Sequence, residues 1–217
     1  MIVTERSVFL HVPKTGGTWM REVLTPITKE THGHILLADT SKENIFAFVR
    51  NPWAWYVSSY NAIILGTSED PVKTNDSLVL AIGKIPTFEE FLESQMCPSP
   101  ILKKKLHFFF KMDQHDTAFT DICERWIESD NSWYTIMCDA FFEKATQVGR
   151  TETLAKDLKS MLTSSKELTE ELHKRIDTTP MKNTGVSIDY RTMYSTKYRD
   201  LVYATSKDLI AQFEYTF

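Results

Sequence analysis

The sequence predicts an α/β fold, with a mainly parallel central sheet that helices cover on both faces. Two short apolar runs rich in β-forming residues, 8–12 and 45–49, are each followed by a turn and then by apolar residues at helical spacing. Strands that alternate with helices build parallel sheets through right-handed crossovers, and such sheets bind ligands at the carboxyl ends of their strands. We therefore expect a three-layer α/β/α arrangement with its site at that edge.

Length and composition are those of a single globular domain, which we predict over residues 1–217. The chain is 42% hydrophobic and 25% charged, values that are ordinary for a globular protein. Its 25 basic and 29 acidic residues give a formal net charge of −4, which argues against indiscriminate nucleic-acid binding, and we expect no nucleic-acid partner. No apolar run approaches the roughly 18 residues of a membrane span.

The three cysteines are odd in number and lack the spacing of a metal site. We interpret them as reduced thiols, which indicates a cytoplasmic protein. A luminal domain trimmed of its anchor would have the same sequence features, so that alternative stays open. The cysteines are Cys97, Cys123 and Cys138.

The turn after the first apolar run has the composition of a phosphate-binding loop. It reads Pro-Lys-Thr-Gly-Gly-Thr over residues 13–18 and leads directly into helix-forming residues. The first N–H groups of a helix have no intrahelical partner, so a helix start favours an anion. Gly16 and Gly17 would let the chain wrap closely around that anion. Lys14 adds a cation, while Thr15 and Thr18 add hydroxyl donors.

The same residues have two other interpretations, an ordinary strand-to-helix turn and a Walker A loop. A Gly-Gly pair with a capping threonine also occurs in ordinary strand-to-helix turns. A Walker A loop requires its lysine after the glycines, whereas Lys14 precedes them and no glycine lies upstream. The pattern therefore favours a phosphate-binding turn that is not a Walker A loop, with an ordinary strand-to-helix turn as the alternative.

A second basic motif follows the second apolar run. Arg50-Asn51-Pro52 comes directly after residue 49, and Ser58 lies eight residues beyond Arg50. Pro52 has its φ preset for the first turn of a helix, which we predict over residues 52–65. Arg50 then lies at the carboxyl end of its strand, and Ser58 lies about two turns along the helix. Alone, such a motif is more typical of a structural strand-to-helix junction.

Together, the two motifs resemble those of sulfotransferases that use 3′-phosphoadenosine 5′-phosphosulfate (PAPS), enzymes with a P-loop-NTPase-like fold. In that family the first motif binds the 5′-phosphosulfate, and the arginine and serine of the second motif grip the 3′-phosphate. The resemblance implies that eight residues hold the cofactor. They are Lys14, Thr15, Gly16, Gly17, Thr18, Trp19, Arg50 and Ser58.

The segment His32-Gly33-His34 lies between these motifs and is similar to the His-Gly-His of the uronyl and heparan sulfate 2-O-sulfotransferases. A histidine there serves as the catalytic base, and histidine suits proton transfer near neutral pH. The resemblance therefore implies His34, or else His32, as the base. A surface turn with structural histidines is the alternative. His11, on the first strand, is expected to be structural.

Later segments extend the resemblance toward the end of the chain. Residues 180–185 match the place of a loop that closes over the cofactor in related enzymes, which implies phosphate contacts from Lys182 and Thr184. Capping-box patterns predict helices over 88–95 and from residue 165 to about 176, and apolar spacing predicts another over 118–127. The lysines at 103–105 could dock a polyanionic acceptor, although the pattern favours a helix with a solvated lysine face and a buried aromatic face.

The resemblance implies transfer of the sulfuryl group from PAPS to a hydroxyl, with adenosine 3′,5′-bisphosphate (PAP) as the product and no metal. A saccharide or another small molecule is the acceptor we expect. A histidine would take the acceptor proton, and Lys14 would stabilise charge on the departing nucleotide. Two alternatives stay open, namely an ATP- and Mg²⁺-dependent nucleotide kinase or NTPase, and a non-catalytic carbohydrate-binding relative.

Overall fold

The computed structural model describes residues 1–32, 42–63, 82–105, 117–181 and 189–217. The chain forms two compact units, each assembled from two separated stretches. The sheet unit comprises Met1–Arg50 and Cys138–Ser187, and the helical unit comprises Asn51–Met137 and Ile188–Phe217. The organisation of residues 1–217 as one domain stays a prediction.

The sheet unit contains a five-stranded mixed sheet in the described residues, which confirms the α/β class. The strands are β1 (Ile2–Val3), β2 (Ser7–Phe9), β3 (Glu30–Thr31), β4 (Asn44–Val49) and β5 (Gln147–Arg150), in the spatial order β3-β1-β2-β4-β5. The neighbours β2, β4 and β5 are parallel, and Val49 lies opposite Arg150. The carboxyl ends of these three strands form the edge where the sequence predicts a site, called the carboxyl edge below.

The other two strands make the sheet mixed instead of mainly parallel. β1 pairs antiparallel with both β2 and β3. A tight turn joins β1 to β2, in which the Thr4 hydroxyl accepts a hydrogen bond from the Ser7 N–H at 2.9 Å. The two residues of β1 are too few to give a period, so the sequence analysis predicted no strand there.

Nine α-helices lie entirely within the described residues. The helices are α1 (Gly17–Leu24), α2 (Pro52–Ile63), α3 (Phe88–Met96), α4 (Thr117–Ile127), α5 (Trp133–Phe142), α6 (Leu154–Ser164), α7 (Glu170–Thr178), α8 (Thr196–Thr205) and α9 (Lys207–Gln212). In these stretches, no helix combines the length and the apolar character that crossing a membrane requires. The capping box predicted at Thr87 is confirmed, because its side chain accepts from the Glu90 N–H and the Glu90 carboxylate accepts from the Thr87 N–H.

The helix predicted to start at residue 165 is wrong, because the chain ends a helix there. α6 stops at Ser164, and Lys166 adopts a left-handed φ of 59°. The Lys166 N–H donates to Thr163 O at 3.1 Å and the Glu167 N–H donates to Leu162 O at 2.8 Å, the pair of bonds that defines a Schellman motif. The next helix, α7, starts instead at Glu170, with Thr169 as its N-cap.

Aromatic residues of the sheet fix the position of α1 in the sheet unit. The rings of Phe9 and Phe46, on neighbouring strands, lie 5.0 Å apart between centroids. The same apolar cluster contains Trp19 of α1, which is 1% exposed, together with Leu154 and Leu158 of α6. Burying each such side chain contributes about 1.5–3 kcal/mol, so the start of α1 rests on a rigid base.

The core of the helical unit is built around α2. The rings of Trp55 and Tyr134 stack at 4.2 Å between centroids. The indole N–H of Trp53 donates to Arg199 O at 3.0 Å, and the Tyr194 hydroxyl donates to Trp53 O at 2.9 Å. Phe217 then packs edge-on against Trp53, at 5.5 Å.

Candidate functional site

The candidate site is the turn between β2 and α1, residues 13–16, called the Lys14 turn below. The chain leaves β2 with the Leu10 N–H still bonded to Phe46 O on β4, at 2.8 Å. It enters α1 through Gly16, whose φ is 88°. In the described structure, no side chain caps α1 and no acidic residue occupies its first turn. The positive end of the helix dipole is therefore not neutralised from within this part of the chain.

Both glycines are required by neighbouring side chains. A Cβ on Gly16 would lie 2.6 Å from Leu154 Cδ2, and a Cβ on Gly17 would lie 1.9 Å from His11 Nε2. Neither distance is possible for a real Cβ without displacement of the neighbour. The structure thus gives both glycines a packing role, and the close approach of an anion to them stays a prediction.

Two of the predicted cofactor residues have structural roles of their own. Thr15 is fully buried and its hydroxyl donates to Val12 O at 2.7 Å, which closes the turn. The indole of Trp19 donates to Thr179 O at 3.0 Å. Thr18 is exposed in the first turn of α1. The assignment of all three residues to the cofactor stays a prediction.

Lys14 occupies an unusual backbone conformation. Its φ is 65°, in the left-handed region that costs a residue with a Cβ roughly 1–2 kcal/mol. The side chain is half-buried, and burial lowers the pKa of Lys14, which the charge of Arg50 lowers further. Within the described part of the chain, Lys14 forms no ion pair with a carboxylate. A strained, partly desolvated cation therefore stands at the start of α1.

Arg50 brings a second cation to the same turn. It follows β4 directly, and its Nη1 donates to the main-chain carbonyl of Lys14 at 3.2 Å. The sequence analysis predicted the position of Arg50 at the carboxyl edge but not this contact. The guanidinium thus both holds the Lys14 turn and adds its charge to it.

The end of β5 contributes another basic residue to the carboxyl edge. The Arg150 N–H donates to the Asp157 carboxylate at 2.8 Å, and the Thr153 hydroxyl donates to the same oxygen at 2.8 Å. The Thr151 hydroxyl crosses to Val49 O on β4 at 2.9 Å. These bonds tie the ends of β4 and β5 together beside the Lys14 turn.

Of the two histidines predicted as bases, the structure describes His32 alone. His34 lies outside the described residues. His32 follows β3, which the sheet order places two strands from β2, or about 10 Å at the usual strand spacing. Its side chain is 38% exposed, and its Nε2 lies 3.1 Å from the Glu30 carboxylate. The histidine that contacts the turn is His11, which the sequence analysis treated as structural.

The remaining predicted contacts belong to the helical unit or lie outside the described residues. Ser58 is half-buried on α2, in the helical unit, and its joint grip with Arg50 on a 3′-phosphate stays a prediction. Lys182 and Thr184 lie outside the described residues. Lys103 donates from Nζ to Ile127 O at 2.8 Å, at the end of α4, and Lys104 and Lys105 are exposed. The described residues contain no group of three or more His, Cys, Asp or Glu that could hold a metal ion.

Comparisons with protein-family models, with curated proteins and with solved structures find no match to this chain. Evidence for the function of this chain comes instead from the two sequence motifs and from the geometry of the Lys14 turn.

Proposed function

We propose that this protein is a PAPS-dependent sulfotransferase with a three-layer, P-loop-NTPase-like fold. The observation that carries the proposal is the pairing of Lys14 and Arg50 at the start of α1, where the Arg50 guanidinium lies 3.2 Å from the Lys14 carbonyl. Two cations and a helix N-terminus converge on one turn, and no carboxylate of the described residues pairs with Lys14. Such a turn is suited to a multiply charged anion.

Electrostatics support an anionic ligand over a purely structural turn. Two like charges held close together, with one of them partly buried, destabilise the folded protein. A bound phosphate or sulfate would relieve both the repulsion and the desolvation, and its oxygens would accept from the N–H groups at the helix start. The left-handed conformation of Lys14 adds a strain of the kind that occurs at functional sites.

The order of residues favours a sulfate donor over ATP. A Walker A lysine follows the glycines, whereas Lys14 precedes them. The Arg50-Asn51-Pro52 motif with Ser58 eight residues beyond Arg50 matches a pair that binds the 3′-phosphate in the family, and ATP has no 3′-phosphate. A nucleotide kinase or NTPase is the second candidate, because a strand, a lysine-bearing turn and a helix are common to both classes.

In the proposed reaction, the acceptor hydroxyl oxygen attacks sulfur as the bond from sulfur to the 5′-phosphate oxygen of PAPS breaks. Charge grows on that phosphate oxygen, where Lys14 and the N–H groups of α1 would stabilise it. The acceptor proton passes to a base, for which the sequence motif assigns His34 first and His32 second. The acceptor we propose is a sugar hydroxyl, with the exposed Lys104 and Lys105 as candidate contacts for an acidic saccharide.

The test is binding followed by transfer. Thermal unfolding of the full chain should shift upward with PAP and not with ATP plus Mg²⁺, and radiolabelled sulfate should move from PAPS to a member of a saccharide panel. Lys14→Met should abolish both effects, whereas Lys29→Met should change neither, because Lys29 is an exposed lysine in an ion pair with Glu5.

Three outcomes contradict the proposal. Stabilisation by ATP plus Mg²⁺ alone would favour the kinase or NTPase. Tight PAP binding without transfer to any acceptor would favour a non-catalytic relative. Stabilisation by neither nucleotide would remove the basis for any nucleotide-dependent activity.

A further inference from the structure

A cavity of about 410 Å³ lies at the amino edge of the sheet, the edge where β2 and β4 begin. Ser7 and Asn44, the first residues of these two strands, lie opposite each other there. The length of β4, six residues or roughly 20 Å, separates this edge from the carboxyl edge. The cavity, called the Arg6 cavity below, is therefore distinct from the Lys14 turn. Its walls come from the turn before β2, the start of β4 and the end of α6, all in the sheet unit.

The lining of the Arg6 cavity is rich in positive charge. Three of its seven residues are cationic, Arg6, Lys42 and Lys166, and one is acidic, Glu43. Lys42 donates from Nζ to Glu5 O at 2.5 Å, which leaves two of the three ammonium donors. Within the described residues, the three cationic side chains form no other hydrogen bond and no ion pair. The cavity therefore presents cations that the described fold does not neutralise.

A second carboxylate, Glu167, lies beside the cavity and is satisfied by neutral donors. Its Oε1 accepts from the Arg6 N–H at 3.0 Å, and its Oε2 accepts from the hydroxyls of Ser7 and Ser165. Even with Glu167 counted, cations outnumber carboxylates around the cavity. Electrostatics thus favour an anionic ligand.

Hydrogen bonds join the three walls to one another. The Asn44 side chain donates from Nδ2 to Arg6 O at 3.3 Å, which ties the start of β4 to the turn before β2. The bonds of Glu167 tie the same turn to the end of α6. Gln147 of β5 donates from Nε2 to Ser164 Oγ at 3.1 Å. The cavity is therefore formed without a ligand, as most small-molecule sites are.

Lys166 has a backbone conformation that is rare for lysine. Its φ is 59°, at the position of a Schellman motif that glycine usually fills. Glycine would end α6 without this strain but would bring no cation to the cavity, and strained residues are common at ligand sites. A cation at the end of α6 also interacts favourably with the helix dipole, so the experiment has to separate stability from binding.

We propose that the Arg6 cavity binds a small phosphate monoester, of the size and chemistry of a sugar phosphate. The guanidinium of Arg6 matches two phosphate oxygens, and the ammonium groups of Lys42 and Lys166 add point charges for a dianion. Glu43 and Asn44 bring oxygens that accept from sugar hydroxyls. The volume lies at the lower end of the roughly 300–1,000 Å³ of small-molecule sites. This site goes beyond the proposed function and does not depend on it.

The experiment is an NMR titration of the full chain with glucose 6-phosphate as the probe. The backbone N–H signals of Arg6, Asn44 and Lys166 should move and saturate. Glucose should move none of them. Glucose 6-sulfate, which has one charge instead of nearly two, should bind at least about five-fold more weakly. The signals of Gly16 and Gly17 report separately on any anion at the Lys14 turn.

Two variants test the cations. Arg6→Gln and Lys166→Gln should each weaken the affinity for glucose 6-phosphate by about 10-fold or more, the usual effect of losing a contact between charged groups. The matched control is Lys156→Gln, an exposed lysine two turns before the end of α6. It should stay within about two-fold of wild type, because charges about 10 Å apart in solvent are largely screened. Urea unfolding of each variant measures stability in parallel.

Several results would overturn the inference. They are unmoved signals of Arg6, Asn44 and Lys166, equal affinity for glucose or glucose 6-sulfate, and movement of the Gly16 and Gly17 signals alone. A Lys166→Gln variant that loses stability but binds the probe like wild type would show that this lysine serves the helix end only. Because the titration involves neither PAP nor sulfate transfer, its failure leaves the proposed function untouched, and a failure to bind PAP leaves the Arg6 cavity untouched.

Discussion

The guanidinium of Arg50 donates to the main-chain carbonyl of Lys14 across 3.2 Å, which links the end of β4 to the turn after β2. The two residues are 36 positions apart in sequence, and each belongs to a different motif. Lys14 has a left-handed φ of 65°, so the contact is made to a residue in a strained backbone conformation. The contact makes Arg50 responsible for the shape of the turn as well as for part of its charge.

Removing Arg50 should therefore weaken anion binding more than it weakens the fold. Arg50→Met should reduce PAP affinity by about 10- to 100-fold, because a charge-assisted contact is lost, and Arg50→Lys should recover only part of this loss since an ammonium cannot reproduce the planar fork. Calorimetry measures the affinities and urea unfolding measures the stabilities.

The matched control for Arg50 is Arg175. Its guanidinium also donates to a main-chain carbonyl of the sheet unit, Glu22 O, at 3.2 and 2.9 Å, but this lies at the other end of α1. Arg175→Met should lower the free energy of unfolding and leave PAP affinity intact. Equal effects of the two substitutions on affinity would mean that Arg50 acts only through stability.

The backbone of Lys14 provides a test that separates strain from function. Lys14→Gly and Lys14→Ala both remove the cation, and both should lower turnover by about 10²- to 10³-fold, as loss of a donor to a developing oxyanion does. Only glycine relieves the left-handed φ of 65°, so Lys14→Gly should be more stable than Lys14→Ala by roughly 1 kcal/mol. Urea unfolding with a parallel transfer assay checks both expectations, and equal stabilities would contradict the strain.

The lowered pKa of Lys14 predicts a pH dependence of stability. The pKa of Lys14 is lower in the folded than in the unfolded protein, so between these two pKa values the unfolded state binds more protons. The free energy of unfolding therefore rises with pH in that range. Wild type should therefore gain stability relative to Lys14→Met as the pH rises from the lowered pKa toward about 10.4. Below the lowered pKa the difference should be constant.

Lys14→Arg is the control for this titration, because a guanidinium stays protonated over the whole range. Its stability relative to Lys14→Met should not change with pH. Urea unfolding of wild type, Lys14→Arg and Lys14→Met between about pH 7 and about pH 10 makes the comparison. If the free energy of unfolding depends on pH in the same way for wild type and Lys14→Arg, the pKa of Lys14 is not lowered in the folded protein.

The sequence predicted the elements that carry local signals. β4 is predictable because residues 45–49 are all apolar. The start of α2 is predictable because Pro52 fixes the backbone of the first turn. β1 is not predictable, because two residues are too few to show an alternating pattern of apolar and polar side chains. The sequence predicts a helix start at the end of α6, because its Ser-Ser-Lys-Glu segment matches the capping-box pattern. In the structure, Glu167 instead accepts from the Arg6 N–H at 3.0 Å and from the Ser165 hydroxyl at 3.1 Å.

The candidate site was predictable only in part for the same reason. The position of Lys14 and Arg50 at the carboxyl ends of two strands follows from local patterns and from the rules for parallel sheets. The direction of the Arg50 guanidinium and the contact between His11 and Gly17 depend on how β2, β4 and α1 pack together, which no spacing in the sequence encodes. One sequence feature indicates that His11 lies near the site. It is a polar residue between the apolar Leu10 and Val12, directly before the turn.

Two glycines in the described part of the chain have a left-handed φ, and they allow the effect of packing to be separated from that of conformation. Gly16 and Gly83 have φ values of 88° and 80°, but a Cβ on Gly16 would meet Leu154 at 2.6 Å, whereas a Cβ on Gly83 would meet nothing within 4 Å. Gly83→Ala should cost only the conformational penalty of roughly 1–2 kcal/mol. Gly16→Ala should cost more, by an amount that Leu154→Ala largely removes in the double variant. A double-variant cycle measured by urea unfolding gives the coupling, and additive effects would contradict the contact.

The end of α6 predicts that replacing lysine by glycine has opposite effects on stability at two positions. Lys166 is the left-handed residue of a Schellman motif, a position that glycine usually fills, so Lys166→Gly should raise the free energy of unfolding by up to about 1 kcal/mol. Lys156 is exposed within α6, where the same change should lower it by about 1 kcal/mol, because glycine is a poor helix former. Thermal and urea unfolding of both variants check the pair. Destabilisation by both would show that α6 continues past Ser164, since residue 166 would then require a helical conformation.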